Sequence, residues 1–500
     1  AFLGSKIISV GSEAKVLADA GKNAKIVDLD GKPVLPGFHD CHSHPIDFGL
    51  KISGVVLDLR SARSVDEILR AVRERAKQTP PGSWVVGQGW DTSIIGEGRP
   101  PNRWELDEAS PNRPVYLADL GGHLAAVNSL ALKLAGISKE APPGGWVDVD
   151  ADTGEPTGIL GETAADRVSS LIAYGDEQLE RALQLSLDEA VRNGITCLHA
   201  IARNSQEVRV FQKLWKQGRL PLRVYLMPRH HLWQHIKALG LVQGFGDDTL
   251  RIGAIKILMD GSIEGHTAAL TEPYIGEPEN TGVMWMSEKE LLKIAKDVHD
   301  SGFQLAIHAI GDRTVHTVLK TLEEILSKNP RRNHRHRIEH ATLLDDEAIE
   351  KMAKLGVVAS VQPVFIYGGS EWLIEALGEE RAEKLSERYR SLLDAGVVVA
   401  AGSDFPYDTT LNPLAGIKAA ATHGGFATQE AIPIAKAIEM YTINAAYACF
   451  SETLIGTIDK EKYADMAILS QNPLKTSPNC IDEIKVNAVI MGGKLIRKRE

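Results

Sequence analysis

Four short apolar runs each end in side chains able to hold a metal ion. His42-Ser43-His44 follows Val34-Leu35-Pro36-Gly37-Phe38, His308 follows Phe303-Gln304-Leu305-Ala306-Ile307, His340 follows Arg337-Ile338-Glu339, and Asp404 closes the run from Val397 to Ser403. In a strand, residues i and i+2 share a face, so His42 and His44 aim both imidazoles at one place while Ser43 points away. If His308, His340 and Asp404 close strands of the same barrel, their side chains converge at its C-terminal mouth. Neutral imidazole and carboxylate suit zinc and its first-row neighbours better than calcium or magnesium. A single histidine at a strand end is ordinarily a hydrogen-bonded core residue, and an isolated H-x-H recurs by chance. Four such sites in barrel order argue instead for a metal-dependent hydrolase.

A bound divalent ion lowers the pKa of water from about 15.7 to about 7 and polarises a carbonyl, making hydroxide available at neutral pH. Asp404 can serve there as ligand and proton shuttle, with His308 beside it. Ser403-Asp404-Phe405-Pro406 also reads as a turn, but that reading leaves the histidines without a carboxylate. Lys256 sits inside Ala254-Ile255-Lys256-Ile257-Leu258, where an unpaired ammonium is costly to bury.

Several stretches give the chain a resemblance to the amidohydrolase superfamily, and within it to the branch of imidase-like and exoenzyme-regulatory-like hydrolases that contains an N-substituted formamide deformylase. They are the run Pro36 to His44, Gly89-Trp90-Asp91, Gly122-His123 with Asn128-Ser129, Ile255 to Ser262, Ile307 to Asp312, Arg337 to Ala341, and Gly402 to Pro406. The resemblance implies a (β/α)8 TIM-like barrel, one or two zinc-like ions per chain, and hydrolysis of a C–N bond in an amide, imide or N-acyl compound. Asp404 would take the proton from the nucleophilic water and pass it to the leaving amine. Relatives that carboxylate the lysine of this strand bridge two metals with it, which puts Lys256 among the expected ligands. The competing arrangement pairs a cationic Lys256 with Asp260 or Glu162 and uses Glu162 as the metal ligand. Trp90, Asp91, His123, Asn128, Asp260 and His199 are the expected substrate-binding residues, while His39 reads as structural. Deamination, ester or lactone hydrolysis, and a metal-free binding role are the alternatives.

Elements that could position these residues are legible as repeated punctuation. Gly194, Gly302, Gly356 and Gly396 each end a helix-period stretch just before an apolar strand, the left-handed cap of βα units. Ser287 to Ser301 reads as an amphipathic helix with a Ser287/Glu290 capping box. The rhythm breaks between about Val65 and Arg167, where one helix, Val65 to Thr79, is followed by many Pro, Gly and Trp residues. We expect an inserted α+β lid domain over 65–167, holding four of the 8 tryptophans (Trp84, Trp90, Trp104 and Trp146). The barrel is then 37–64 plus 168–454. Strands at Ala24 to Leu35, Ala464 to Leu469 and Val486 to Ile496 predict a small β-sandwich from 1–36 plus 455–500.

The composition excludes some partners. Of 500 residues 43% are hydrophobic, enough for a large core, and the formal charge is -10, which disfavours nucleic acid. The patch Arg331 to Arg337 reads as a solvated loop. The 4 cysteines form no C-x-x-C, so a reducing cytoplasm is expected. No apolar run reaches the ~18 residues of a membrane span, and a start at Ala1 is consistent with a trimmed N-terminus. The partner is a small-molecule substrate, with a homodimer left open.

Overall fold

Strand and helix alternate as the glycine punctuation predicts, and the resulting sheets are parallel. The computed structural model describes residues 1–367, 370–407 and 410–498; the remaining positions of segments 168–454 and 455–500 lie outside the described residues. Leu250–Ile252, Arg223–Pro228, Ile195–Ala202 and Phe38–Ser43 form one sheet in that order. Ile255–Leu258, Leu305–Ala309, Arg337–His340, Val358–Val361 and Val399–Ala401 form another. Every pairing within the two is parallel, and almost every strand residue is buried, as in sheets covered on both faces. The sheets meet at both ends. Arg229 bridges Lys256 in parallel, and the Asp404 N–H donates to the His42 carbonyl at 2.8 Å. The registers Leu258↔His308 and Ala309↔His340 bring both histidines to the same end of adjacent strands.

Helices set the approach to these strand ends. Pro45–Ile52 leaves directly from His44 and lies against Asp176–Arg192. A Cβ on Gly49 would fall 1.9 Å from the Ala182 carbonyl oxygen, so only glycine permits this contact. Glu288–Asp300 carries the expected Ser287/Glu290 capping box and buries Leu291, Ala295 and Val298.

The interrupting stretch builds a mixed six-stranded sheet in the order Leu57–Asp58, Val85–Trp90, Val115–Asp119, Leu124–Val127, Pro156–Glu162 and Gly145–Val149. Its first strand lies within the 37–64 segment. Helices Val65–Gln78 and Arg103–Ala109 cover it around a separate core of Leu59, Ile68, Val72, Leu106 and Leu117.

At the chain ends, Val34–Pro36 pairs with Met466–Leu469 in a four-stranded antiparallel sheet completed by Val486–Met491 and Lys494–Lys498. The expected strand from Ala24 to Leu35 is mostly absent. The Asp30 N–H donates to Asp28 Oδ1 (2.9 Å) and the Lys32 N–H to the Leu29 carbonyl (3.0 Å), which turns the chain before it can pair. The basic patch is likewise mostly buried from His334 to Arg337, because Arg335 pairs with Glu452 (2.7 Å) and Arg337 with Glu339 (2.6 Å). Among the described residues no helix is long and apolar enough to cross a membrane.

Candidate metal centre

His42 and His340 are both buried at the ends of their strands, and each has one ring nitrogen already engaged. Nδ1–H of His42 donates to Glu339 Oε2 at 2.7 Å, and Nδ1–H of His340 donates to Gln362 Oε1 at 2.7 Å. These bonds fix the tautomers and leave both Nε2 atoms as acceptors, that of His42 meeting Lys256 Nζ at 3.1 Å. Burial, with Lys256 second, pushes His42 down to about 4. Burial, with His308 and His42 next, holds His340 well below its ordinary value. Both are therefore neutral imidazoles near pH 7, the form that binds metal.

Asp404 faces them. Its Oδ1 lies 3.2 Å from His44 Nε2 and 3.6 Å from His42 Nε2, yet is buried with no hydrogen-bond partner. Burial pushes its carboxyl up, but His42, His44 and Lys256 outweigh this and hold it below the ordinary carboxylate value. Ligand atoms of His42, His340 and Asp404 all fall within 4.8 Å of one another. Two neutral nitrogens around an orphaned, buried carboxylate oxygen fit a divalent cation. His340 (φ 72) and Asp404 (φ 56) both hold left-handed backbone without glycine, at ~1–3 kcal/mol each, a strain that collects at functional sites.

His308 adjoins this group, its ring centroid 4.4 Å from that of His340. Its Nε2–H donates to the Gly261 carbonyl at 3.1 Å, leaving Nδ1 as its unprotonated nitrogen. Lys256 Nζ lies 3.1 Å from His42 Nε2, and burial pushes the amine down to about 8 against the pull of Glu339 and Asp404. The chain thus brings His42, His44, Lys256, His308, His340 and Asp404 to one cavity of about 1020 Å³.

Other expected site residues go elsewhere. Glu162 is outside the ligand group: its Oε2 accepts from His123 Nδ1 (3.0 Å) and Trp285 Nε1 (2.8 Å). Lys256 pairs with neither Glu162 nor Asp260. Asp260, fully buried, clamps the loop after His308 by accepting the N–H groups of Ala269 (3.1 Å), Ile310 (3.1 Å) and Gly311 (2.9 Å). It positions His308 and does not line the cavity. Asn128 caps the helix Ser129–Ala135 and donates to the carbonyls of Ser110 and Arg113, so its amide is consumed locally. His199 is buried in a separate cluster with His39, Cys197 and Cys449. Because Arg337 donates to its Nδ1 (2.8 Å), the His199 Nε2 keeps its proton and offers no lone pair. Trp90 is buried with Nε1 on the Leu117 carbonyl (2.8 Å), while Asp91 accepts from the Ser93 N–H (2.8 Å). Both line a second cavity.

His123 does line the main cavity. Burial alone would lower its pKa, but Glu162 raises it to about 9 from an ordinary 6.5. A raised histidine stabilises the fold fully below the unfolded value and loses that contribution as pH rises through the folded one. We therefore expect thermal stability to fall between pH 6.5 and 9 and to flatten in His123→Gln; parallel melting curves that keep the wild-type slope in the variant would contradict this.

Sequence reading missed Arg337 and Glu339 as the support behind His42. Their signal was an opposite-charge pair at i,i+2 inside a buried strand.

Comparison with known proteins agrees with this geometry. The model of the amidohydrolase family matches residues 25–497. Protein LONG AFTER FAR-RED 3 of Arabidopsis thaliana is 32% identical, over 99% of this chain and 87% of its own length. The N-substituted formamide deformylase of Arthrobacter pascens is 29% identical, over 99% and 94%. The crystal structure of an uncharacterized metal-dependent hydrolase from Pyrococcus horikoshii superposes with a TM-score of 0.77 at 26% identity, covering 95% of this chain and 94% of that one.

Proposed function

This chain belongs to the amidohydrolase family, and on that premise we propose that its cavity hydrolyses a C–N bond in an amide, imide or N-acyl compound. Family and ligand set together support a metal-dependent hydrolase. The two parallel sheets are, in our reading, arcs of one eight-stranded barrel with the cavity at its mouth, Leu250–Ile252 and Ile255–Leu258 being two halves of a single strand. One observation carries the chemistry: the unpartnered Asp404 Oδ1 lies beside His44 and His42, and the outer nitrogens of His42 and His340 are already tied down.

Zinc matches this nitrogen and oxygen donor set, and when bound it acidifies water to a pKa of about 7 and polarises a carbonyl. His42, His340 and Asp404 would hold it, with His44 and His308 adjoining. Asp404, ionised at neutral pH, accepts the proton of the attacking water and returns it to the leaving nitrogen. His123, a cation at neutral pH, faces the cavity and can hold the substrate carbonyl. Lys256 has the depressed basicity needed for carboxylation: neutral Nζ bonds the carbon of CO2 and releases one proton, giving a carbamate with two further oxygen donors.

The test is removal and return of metal. Chelated protein should lose turnover of an N-formyl and N-acyl amine panel and regain it in proportion to zinc added, while His308→Ala should stay inactive. Turnover of esters or lactones alone, or an active His308→Ala, would overturn the reading. Whole-protein mass at the unmodified value in active, metal-loaded enzyme would remove the carbamate.

A further inference from the structure

A second cavity, of about 1030 Å³, shares Gly121, Glu264, Phe365 and Tyr407 with the first, so the two adjoin. Their charges differ. The metal cavity is lined by Arg203, Arg229, Lys256 and Lys293 among its charged residues. The second has six carboxylates in its lining (Asp91, Asp119, Glu264, Glu277, Glu371 and Glu375) and no lysine or arginine among the described residues. Among the described residues none of the six pairs with a lysine or arginine, and only Glu277 forms an ion pair with a histidine, His266 Nδ1 at 2.6 Å. Trp146, Trp372 and Tyr407 line the same chamber.

Asp119 separates this lining from an ordinary acidic surface. It ends the strand Val115–Asp119 and is only 7% exposed. Oδ1 accepts the Leu124 N–H at 2.9 Å, whereas Oδ2 has no such bond and lies on the cavity side near Gly121. Burial pushes this carboxyl up to about 7, against the Leu124 N–H and His123. The lining offers this buried carboxylate no lysine or arginine, and the base that reaches it, His123, is already held by Glu162, so a ligand cation would supply the charge it lacks.

We infer that this chamber binds an organic cation, a protonated amine or guanidinium on an apolar stem, with the charge on Asp119 and the stem against Trp146 and Trp372. Aromatic faces attract such a cation as well as its stem. Placed beside the metal cavity, the chamber implies a substrate whose cationic nitrogen is distant from the scissile C–N bond. The substrate half of this inference rests on the proposed hydrolase reading; the binding half does not.

Calorimetric titration of the purified, metal-loaded enzyme at pH 8 with phenethylammonium and with its neutral isostere 2-phenylethanol tests it. The cation should bind about ten-fold more tightly than the alcohol, the worth of one charge-assisted contact. Asp119→Asn, which keeps the Leu124 bond, should erase that preference, and Trp372→Leu should weaken both ligands. Equal affinity for the two ligands overturns the inference, as does a preference that survives in Asp119→Asn. Calcium that competes with phenethylammonium and depends on Asp119 would overturn it too, reassigning the chamber to a metal. Amide turnover without cation preference leaves the hydrolase reading standing, while cation binding without amide turnover defeats only that reading.

Discussion

Asp404→Asn is expected to lower kcat for amide hydrolysis by about 10²–10⁴-fold while metal content stays at the wild-type level. The substitution is nearly isosteric. Asparagine tolerates the left-handed backbone at this position (φ 56), and its amide oxygen can still face a cation. What it lacks is basicity. Wild-type Oδ1, 3.2 Å from His44 and 3.6 Å from His42, is an ionised acceptor without a partner; the amide cannot take a proton from water or return one to the leaving nitrogen. KM should move little, and the acidic limb of the pH profile should vanish. Steady-state kinetics beside metal analysis decides the matter. A kcat within ten-fold of wild type would assign the proton shuttle elsewhere, and a loss of metal would make Asp404 a ligand first.

Glu339→Gln should have the largest effect on stability. Glu339 is fully buried and accepts from Arg337 Nε (2.6 Å), a second Arg337 nitrogen (2.7 Å) and His42 Nδ1 (2.7 Å). Burial opposes its charge, yet Arg337 and His42 hold the carboxyl well below the usual carboxylate range. A depressed carboxylate stabilises the fold above its unfolded pKa, and that contribution fades as pH falls below it. Glutamine leaves Arg337 buried without a counter-charge, a loss of ~3–5 kcal/mol. His42 also loses the acceptor that fixes its tautomer, and metal affinity should drop about 10–100-fold. Denaturation of the metal-free variant at pH 8 reads the first effect and competitive chelator titration the second. Unchanged stability would show that Arg337 finds other partners, of which the Cys41 carbonyl (2.7 Å) and Ser360 Oγ (2.8 Å) are already in place.

Local periodicity made much of this molecule legible. The i,i+2 spacing of His42 and His44, the glycines before the strands, and the Ser287/Glu290 capping box are rules of a few residues, and the structure follows them. The expected strand at Ala24 to Leu35 failed through an equally local rule, because Asp28 bonds its own backbone and turns the chain. The basic patch was misread for a different reason. Arg337 takes Glu339, two residues along its own buried strand, and Arg335 takes Glu452, more than a hundred residues away; cations paired along a buried strand or with a distant carboxylate look solvated in sequence.

The amino-acid order by itself determined which residue types end the strands, and therefore that nitrogen and carboxylate donors gather at one mouth. Tertiary structure alone decided their assignments. Glu162 faces His123 and Trp285 instead of the ligand group, Asn128 spends its amide on a helix cap, Asp260 clamps the loop after His308, and His199 spends Nδ1 on Arg337 within a separate cluster. A hydrogen bond forms or fails within a few tenths of an ångström. Strand periodicity sets the face a side chain takes, but that distance depends on how sheets and helices far apart in the chain pack together.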